Sequence, residues 1–561
     1  MDTHHASFDL ITLEVVRNKL VGIANEMEMT LLQSSFSSIA KECMDASASL
    51  FDVKGETLSQ ATAVPIHLAT LITVVEHVLK RHRVDTMQEG DIYLLNDPYC
   101  GGTHLPDFAV VVPVFHGDRP VALSATMTHH QDVGGMVPGS VPTNATEVFQ
   151  EGIRIPILKL RDRGVWNDTL LEILRLNVRM PDVFIGDLNA QISACSIGAR
   201  RVRELAALHG GSVLMAMFAE LLTRSETMTR RAIARLPQGT FRYVDHLDND
   251  GVDLDRLVRM EVAVTVASDS ITVDFTGTSK QVRGPVNCVP SGAMAAACYA
   301  IRALTDPAIP TNGGCFRPLR LILPPGSLVN PRPPAPVGTR TSTIKLATAS
   351  IIGAFRAPMQ GRLPASDAVD MHGVSWGGRR ADGSAYVISE SIGSGTGARP
   401  NGDGYDVVDS DVSNVMNLPV EAIEMDTPIR LNRTEIRPDS GGDGRWRGGL
   451  GIVREYEVLD GDVVLTHRGD RARTQAPGFA GGRPGAASRS VIIRADGRVE
   501  TIPSRQVVVL SKGDRLVVET AGGGGYGEPA GRPAQAVKDD VANRKISAAH
   551  AKAAYGVDVL S

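Results

Sequence analysis

The residues best suited to chemistry fall in one stretch, Asn96-Asp97-Pro98-Tyr99-Cys100-Gly101-Gly102-Thr103-His104-Leu105-Pro106-Asp107, followed by Thr128-His129-His130-Gln131-Asp132. Two imidazoles and a carboxylate, His104, Asp107 and His129, form a donor set suited to Zn, Mn or Fe(II). Such a set leaves coordination positions for water or substrate. Pro106 keeps the His-x-x-Asp pair off a helix face and so places it in a loop. Between the two clusters, residues 108–115 and 120–128 read as an antiparallel hairpin around His116-Gly117-Asp118-Arg119. Opposed residue numbers then sum to about 235, which sets Asp107 against Thr128 and His104 beside residues 129–131. A plainer reading stands beside this one. Polar residues next to glycine turns commonly do no more than bond loop backbone. Strand parity also puts His129 with Val121, Leu123, Ala125 and Met127, the position of a histidine at the edge of a core.

The elements that must position these groups show in the periodicity. Val16, Leu20, Ile23, Met27 and Leu31 recur at spacings of three and four, one apolar helical stripe. Short strands at 46–52 and 57–60 flank the turn Val53-Lys54-Gly55-Glu56. Pro65 opens a second helix to about Arg83, carrying Leu68, Leu71, Ile72, Val75 and Leu79. Strands follow at 92–95, 108–115 and 121–128, then helices at about 170–178, 184–203 and 213–235. From about 236 the chain turns β-rich. Residues 259–267 and 270–275 form a hairpin around Ser268-Asp269, and helical runs at 293–304 and 343–355 interrupt the pattern. Strands at 451–459, 463–467, 488–493 and 515–519 are separated largely by Gly-rich turns. Residues 533–555 form one or two short amphipathic helices. The expectation is an α+β chain of mixed layers, with a helical and hairpin N-terminal half and a β-rich, Gly-rich C-terminal part. Its divisions are an α/β region at 1–235 carrying the metal site, a mixed β/α region at 236–430, and a β-rich module with a helical tail at 431–561.

Composition excludes several classes of function. Among 561 residues, 58 Lys and Arg face 63 Asp and Glu, a net charge of −5. With no basic tract either, a polybasic nucleic-acid platform is ruled out. An apolar share of 43% with 22% charged is globular rather than disordered. Aromatics are only 4%, so the core must rest on aliphatic side chains. The longest apolar stretches, 108–115 and 293–301, fall far short of the ~20 residues that span a bilayer. Residues 1–10 lack the basic and apolar segments of a signal peptide, so a soluble, cytoplasmic chain is expected. Cys43, Cys100, Cys195, Cys288, Cys298 and Cys315 form no CxxC pair and are expected to be reduced. Cys100, in its Gly-rich segment, is the one that could act as a nucleophile.

Nucleotide motifs are missing. Asp274-Phe275-Thr276-Gly277-Thr278-Ser279 has the outline of a phosphate loop, but no second loop or adenosine motif accompanies it. Gly522-Gly523-Gly524-Gly525 lacks the Lys-Ser/Thr of a P-loop and suits close backbone approach or packing against a partner. The turn-dense stretch 437–449 reads as a structural loop at a domain or subunit contact. The ATP site of any ATP-driven reaction therefore lies on another chain.

Several long motifs resemble the hydantoinase B/oxoprolinase family. They are 96–107 with its Gly-Gly-Thr-His-Leu-Pro-Asp core, 128–135, Glu-Val-Phe-Gln-Glu-Gly-Ile-Arg-Ile-Pro at 147–156, Asp-Phe-Thr-Gly-Thr-Ser-Lys-Gln-Val-Arg-Gly-Pro-Val-Asn at 274–287, 437–453 and 520–529. The resemblance runs from about Leu10 to Tyr555. It implies a subunit of an ATP-dependent amidohydrolase, N-methylhydantoinase-like, that opens hydantoins, 5-oxoproline or lactams. The implied partner is a hydantoinase A-type ATPase subunit, which would bind ATP and Mg and phosphorylate the amide oxygen; this chain would then deliver water. Related subunits serve ATP-dependent ketone carboxylases, where a His-x-x-Asp pair and a His about twenty-five residues on hold a metal. His104, Asp107 and His129 match that spacing. The resemblance also points to Asp45, in Lys41-Glu42-Cys43-Met44-Asp45-Ala46-Ser47, as the carboxylate base. His67 is a further candidate, although Asp45 could merely cap a turn and His67 be an ordinary first-turn histidine. Two alternatives stay open, a ketone carboxylase subunit and a non-catalytic scaffold with a structural metal.

Overall fold

The computed structural model describes residues 8–380 and 382–559; residues 1–7 of the stretch inspected for a signal peptide lie outside them. The first apolar stripe folds as α1 (Leu10–Ser34), which buries Leu13, Val16, Leu20, Ile23, Met27 and Leu31. Asp9 caps it by accepting the Thr12 N–H at 3.1 Å. After α2 (Ser38–Lys41), strands β1 (Ala46–Phe51) and β2 (Thr57–Gln60) turn at Gly55, and α3 (Pro65–Arg81) starts on its proline. Strands β3 (Ile92–Leu95), β4 (Asp107–His116), β5 (Arg119–His129), β6 (Leu158–Asp162) and β7 (Val165–Trp166) complete an antiparallel sheet of order β2-β1-β5-β4-β3-β6-β7.

Helices cover both faces of this sheet, which is why its central strands are nearly all apolar. One face, with Ala109, Val111, Leu123, Ala125 and Met127, packs on Leu71, Val74, Val75 and Val78 of α3. The other packs on α1 and on α4 (Asp168–Asn177), α5 (Pro181–His209) and α6 (Gly211–Ile233). Helix α5 comes so close that a Cβ at Gly198 would lie 2.4 Å from Met27 Sδ and 2.5 Å from Ser124 Oγ.

The later part contributes three further sheets. Strands β8 (Gly239–Leu247), β9 (Val258–Ala267), β10 (Ser270–Asp274) and β11 (Leu319–Ile322) form the first, antiparallel except for β10 with β11. Helices α7 (Pro290–Leu304) and α8 (Arg340–Arg356) pack into the same core. Strands β12 (His372–Arg379), β13 (Ala385–Ile392), β14 (Ile429–Ile436), β15 (Ile452–Val458), β16 (Asp462–Arg468), β17 (Arg489–Ile493), β18 (Val499–Ile502), β19 (Arg505–Ser511) and β20 (Arg515–Glu519) form the other two, of orders β13-β12-β16-β19 and β14-β15-β20-β17-β18. The former takes two strands from before residue 430 and two from after it. Short helices Ala534–Ala542 and Ala548–Tyr555 close the chain. The architecture is α+β.

The tetraglycine serves close approach. Cβ atoms at Gly522, Gly523, Gly524 and Gly525 would fall 1.8–2.2 Å from the carbonyl oxygens of Ser440, Thr396, Pro477 and Asp443. The loop read at 437–449 is thus packed against this chain's own tetraglycine run. Strands β6, β7, β8, β11, β12, β13, β14, β18 and β19 were not legible as separate elements in the sequence. In β12 the reason is visible: Gly373, Gly377 and Gly378 dilute its alternation. Among the described residues no single helix is long and apolar enough to cross a membrane.

Candidate active site

The hairpin register corrects the sequence expectation by one residue. Next to the turn the pairing is His116 with Arg119 and Phe115 with Pro120, but a bulge between Val114 and Phe115 shifts the remainder. Asp107 therefore opposes His129 rather than Thr128. The parity that made His129 resemble a core-edge histidine is what delivers it. Asp107 and His129 continue the sheet face that packs on α3, and α3 brings His67 there from its first turn. Strand β1 supplies the fourth side, since the His129 N–H donates to the Asp45 carbonyl at 3.0 Å.

Asp45, His67, His104 and His129 line one cavity, and Asp107 lies directly behind the histidines. His104, Asp107 and His129 are buried and offer donor atoms within 4.8 Å of one another. His104 Nε2 lies 2.9 Å from Asp107 Oδ1, and His67 Nε2 lies 3.4 Å from that oxygen and 3.5 Å from Asp45 Oδ1. Asp107 Oδ2 accepts from Thr103 Oγ1 at 2.5 Å and from an Arg340 guanidinium nitrogen at 2.8 Å. Arg340 opens α8, whose preceding Gly338 carbonyl lies 3.0 Å from His104 Nδ1. The cavity holds about 30 Å3, roughly one water, so a ring substrate needs wall side chains to move.

Electrostatics sort the protonation states. Burial works against the charge on Asp107, but His104, Arg340 and His67 outweigh it and hold the carboxyl well below its usual range. Burial and Arg340 pull His104 down to about 4, and burial and His104 push His129 well below the imidazole range. Burial opposes charging of His67, yet the Asp107 and Asp45 carboxylates raise it. Burial raises Asp45, making it the more basic carboxylate. These states test whether a metal fits. The Gly338 carbonyl can only accept, so the proton of a neutral His104 is on Nδ1. Nε2 then presents a bare lone pair to the Asp107 carboxylate 2.9 Å away. Two acceptors so placed repel each other unless a cation lies with them. His129 Nδ1 is likewise buried without a partner. The donor set fits a divalent metal.

Other cavity residues were not singled out in the sequence. Arg340 and Arg468 line it, as do Ser375, Ser389 and Glu390. Glu390 pairs with the buried Arg454 and accepts from Tyr456 Oη at 2.5 Å. Glu151, in the middle of the 147–156 motif, is fully buried and accepts from the Val337 and Gly338 N–H groups at 2.9 and 2.6 Å. It thereby anchors the loop that holds His104, and burial pushes its pKa up to about 8. For Glu151 and Glu390 the available signal is a carboxylate within a largely apolar stretch; the two arginines carry no such local mark. Cys100, by contrast, packs with the α3 cluster outside the cavity, and burial raises its thiol pKa. All six cysteines are unpaired. His130, next to His129, points to the other sheet face, 3.1 Å from Gln191 Oε1 of α5.

The arrangement has counterparts. Caprolactamase subunit beta of Pseudomonas jessenii is 30% identical over 98% of this chain and 96% of its own. 5-Oxoprolinase of Dictyostelium discoideum is 30% identical over 93% of this chain but 40% of its own length. The crystal structure of the ATP-dependent caprolactamase from Pseudomonas jessenii superposes with a TM-score of 0.91 at 28% identity, covering 99% of this chain and 97% of that one. The family model for hydantoinase B/oxoprolinase matches residues 9–529, which include every strand and helix that builds the cavity. This chain is a member of the hydantoinase B/oxoprolinase family.

Proposed function

We propose that the chain is the water-delivering subunit of an ATP-dependent cyclic amide hydrolase that opens a hydantoin, 5-oxoproline or lactam ring. The observation that carries this reading is the convergence of donor atoms of His104, Asp107 and His129 beside a cavity that Asp45 also lines. An unstrained amide resists attack by water, so its oxygen must first be activated, here by phosphorylation on a hydantoinase A-type ATPase subunit binding ATP and Mg. The subunit naming of the caprolactamase relative and the 40% share of 5-oxoprolinase that this chain spans both support a second component carrying that step.

In this reading His104, Asp107 and His129 hold a divalent metal, Zn, Mn or Fe, whose chemistry when bound is to lower the pKa of water and polarise a substrate oxygen. Asp45, partly exposed to the cavity, takes the proton of the attacking water. His67 stands between Asp45 and Asp107 and keeps both carboxylates oriented. Arg340 and Thr103 fix the second oxygen of Asp107, and the Gly338 carbonyl fixes the His104 tautomer. The test is co-expression with the ATPase subunit and assay on hydantoin, 5-oxoproline and a lactam. Ring opening coupled to phosphate release should need both chains. Release from the isolated chain would overturn the division of labour, and turnover surviving Asp107→Ala would leave only a structural role for the cluster.

A further inference from the structure

Most buried arginines among the described residues are matched to carboxylates, while Arg356 bonds the Pro364 carbonyl and the Tyr243 hydroxyl instead. Arg340 meets Asp107 at 2.8 Å, Arg471 meets Asp245 at 2.7 Å, Arg447 meets Asp406 at 3.4 Å, and Arg454 and Arg505 pair with Glu390 and Asp470. Such matching is expected, because an uncompensated guanidinium away from water is costly. Arg468, half-buried at the cavity, has no such partner. It ends β16 and lines the cavity with Asp45, His67 and His129, and its side chain makes no hydrogen bond or ion pair with any described residue. One of its terminal nitrogens is shut off from solvent with no partner. Asp45 and Asp409 attract it from beyond ion-pair range, while burial and Arg340 bring its pKa to about 10, so it stays charged at neutral pH.

The position is built rather than incidental. Across the ladder Arg468 faces Gly373, where a Cβ would lie 2.2 Å from Arg468 Nε, so the strand leaves room for the side chain to lie flat. Beside it the cavity wall presents the hydroxyls of Ser375, Ser389 and Ser391. A second guanidinium, Arg340, is already committed to Asp107. A divalent cation on His104, Asp107 and His129 would leave the cavity still richer in positive charge. Asp45 and Glu390 also line the cavity, but no carboxylate lies within ion-pair distance of the Arg468 guanidinium.

We propose that Arg468 anchors an oxyanion carried by the substrate, either the phosphoryl group of an activated amide or a carboxylate on the ring, with the Ser375, Ser389 and Ser391 hydroxyls as further donors. This rests on the amide-hydrolase reading, and it adds that the cavity selects anionic substrates. A guanidinium meets either group through paired, charge-assisted bonds.

The full chain, as wild type, Arg468→Gln and Arg468→Lys, is titrated by calorimetry with inorganic phosphate and separately with acetate. Arg468→Gln should weaken binding about tenfold or more, the loss of one charge-assisted contact. Arg468→Lys should keep part of the affinity. Because Arg468 has no partner to lose, Arg468→Gln should leave the urea midpoint unchanged or raised. Preference for phosphate assigns the subsite to the phosphoryl group, and equal or better binding of acetate assigns it to a ring carboxylate. Affinity unaffected by Arg468→Gln, no binding of either probe by wild type, or a fall in urea midpoint matching that of Arg505→Gln would overturn the proposal. Neither readout needs turnover, so failure of the two-chain ring-opening assay with phosphate binding intact would sink the hydrolase reading alone.

Discussion

His129→Ala separates a metal centre from a knot of buried ion pairs. The His129 side chain makes no hydrogen bond or ion pair among the described residues, and its one ring contact is with His104 at a centroid distance of 5.0 Å. In metal-free protein the substitution therefore removes packing alone and leaves the His104–Asp107–Arg340 contacts intact. A metal bound only by the folded chain adds RT ln(1 + [L]/Kd), about 2.7 kcal/mol at a hundredfold excess over Kd. If losing one of three ligands weakens binding about a hundredfold, the same metal concentration adds only about 0.4 kcal/mol to the variant. The measurement is chemical denaturation of EDTA-treated wild type and His129→Ala, each with and without added Zn or Mn, alongside elemental analysis. His116→Ala, at the far end of the hairpin, should keep the full gain. An equal gain in His129→Ala, or none in wild type under any of these metals, would refute the assignment.

Three other outcomes follow from the packing. Glu390→Gln strands the buried Arg454 guanidinium and should cost about 3 kcal/mol or more by urea denaturation; a loss under about 1 kcal/mol would mean the pair is dispensable. Gly198→Ala should cost about 1–3 kcal/mol, because α5 has no space for a Cβ against Met27 and Ser124, and a wild-type melting temperature would mean that α5 slides freely. The hydrogen bond from His550 Nε2 to Asp443 at 2.7 Å raises the His550 pKa, so its stabilisation is fully present below the unfolded value near 6.5 and fades as pH rises through the raised one. The stability difference between wild type and His550→Ala should thus be larger at pH 6 than at pH 9, and a reversed order would contradict the sign.

The sequence alone carried the helices with clear three-and-four periodicity and the hairpin with its two-residue turn, because those signals are local. The approximate hairpin register read from the sequence also placed His104 and Asp107 near His129, and their donor atoms do lie within 4.8 Å of one another. Strand register was decided elsewhere. A bulge between Val114 and Phe115, which no local signal in the sequence marks, moved Asp107 from Thr128 to His129. Partners distant in sequence were decided only by the tertiary structure. Arg340 reaches Asp107 from 233 residues away because α8 starts at the cavity. Arg468 reaches it because Gly373 leaves room in a neighbouring strand. Nothing in the local pattern around either arginine distinguishes a surface charge from a buried one. Only folding fixes whether a carboxylate lies opposite, and for Arg468 none does.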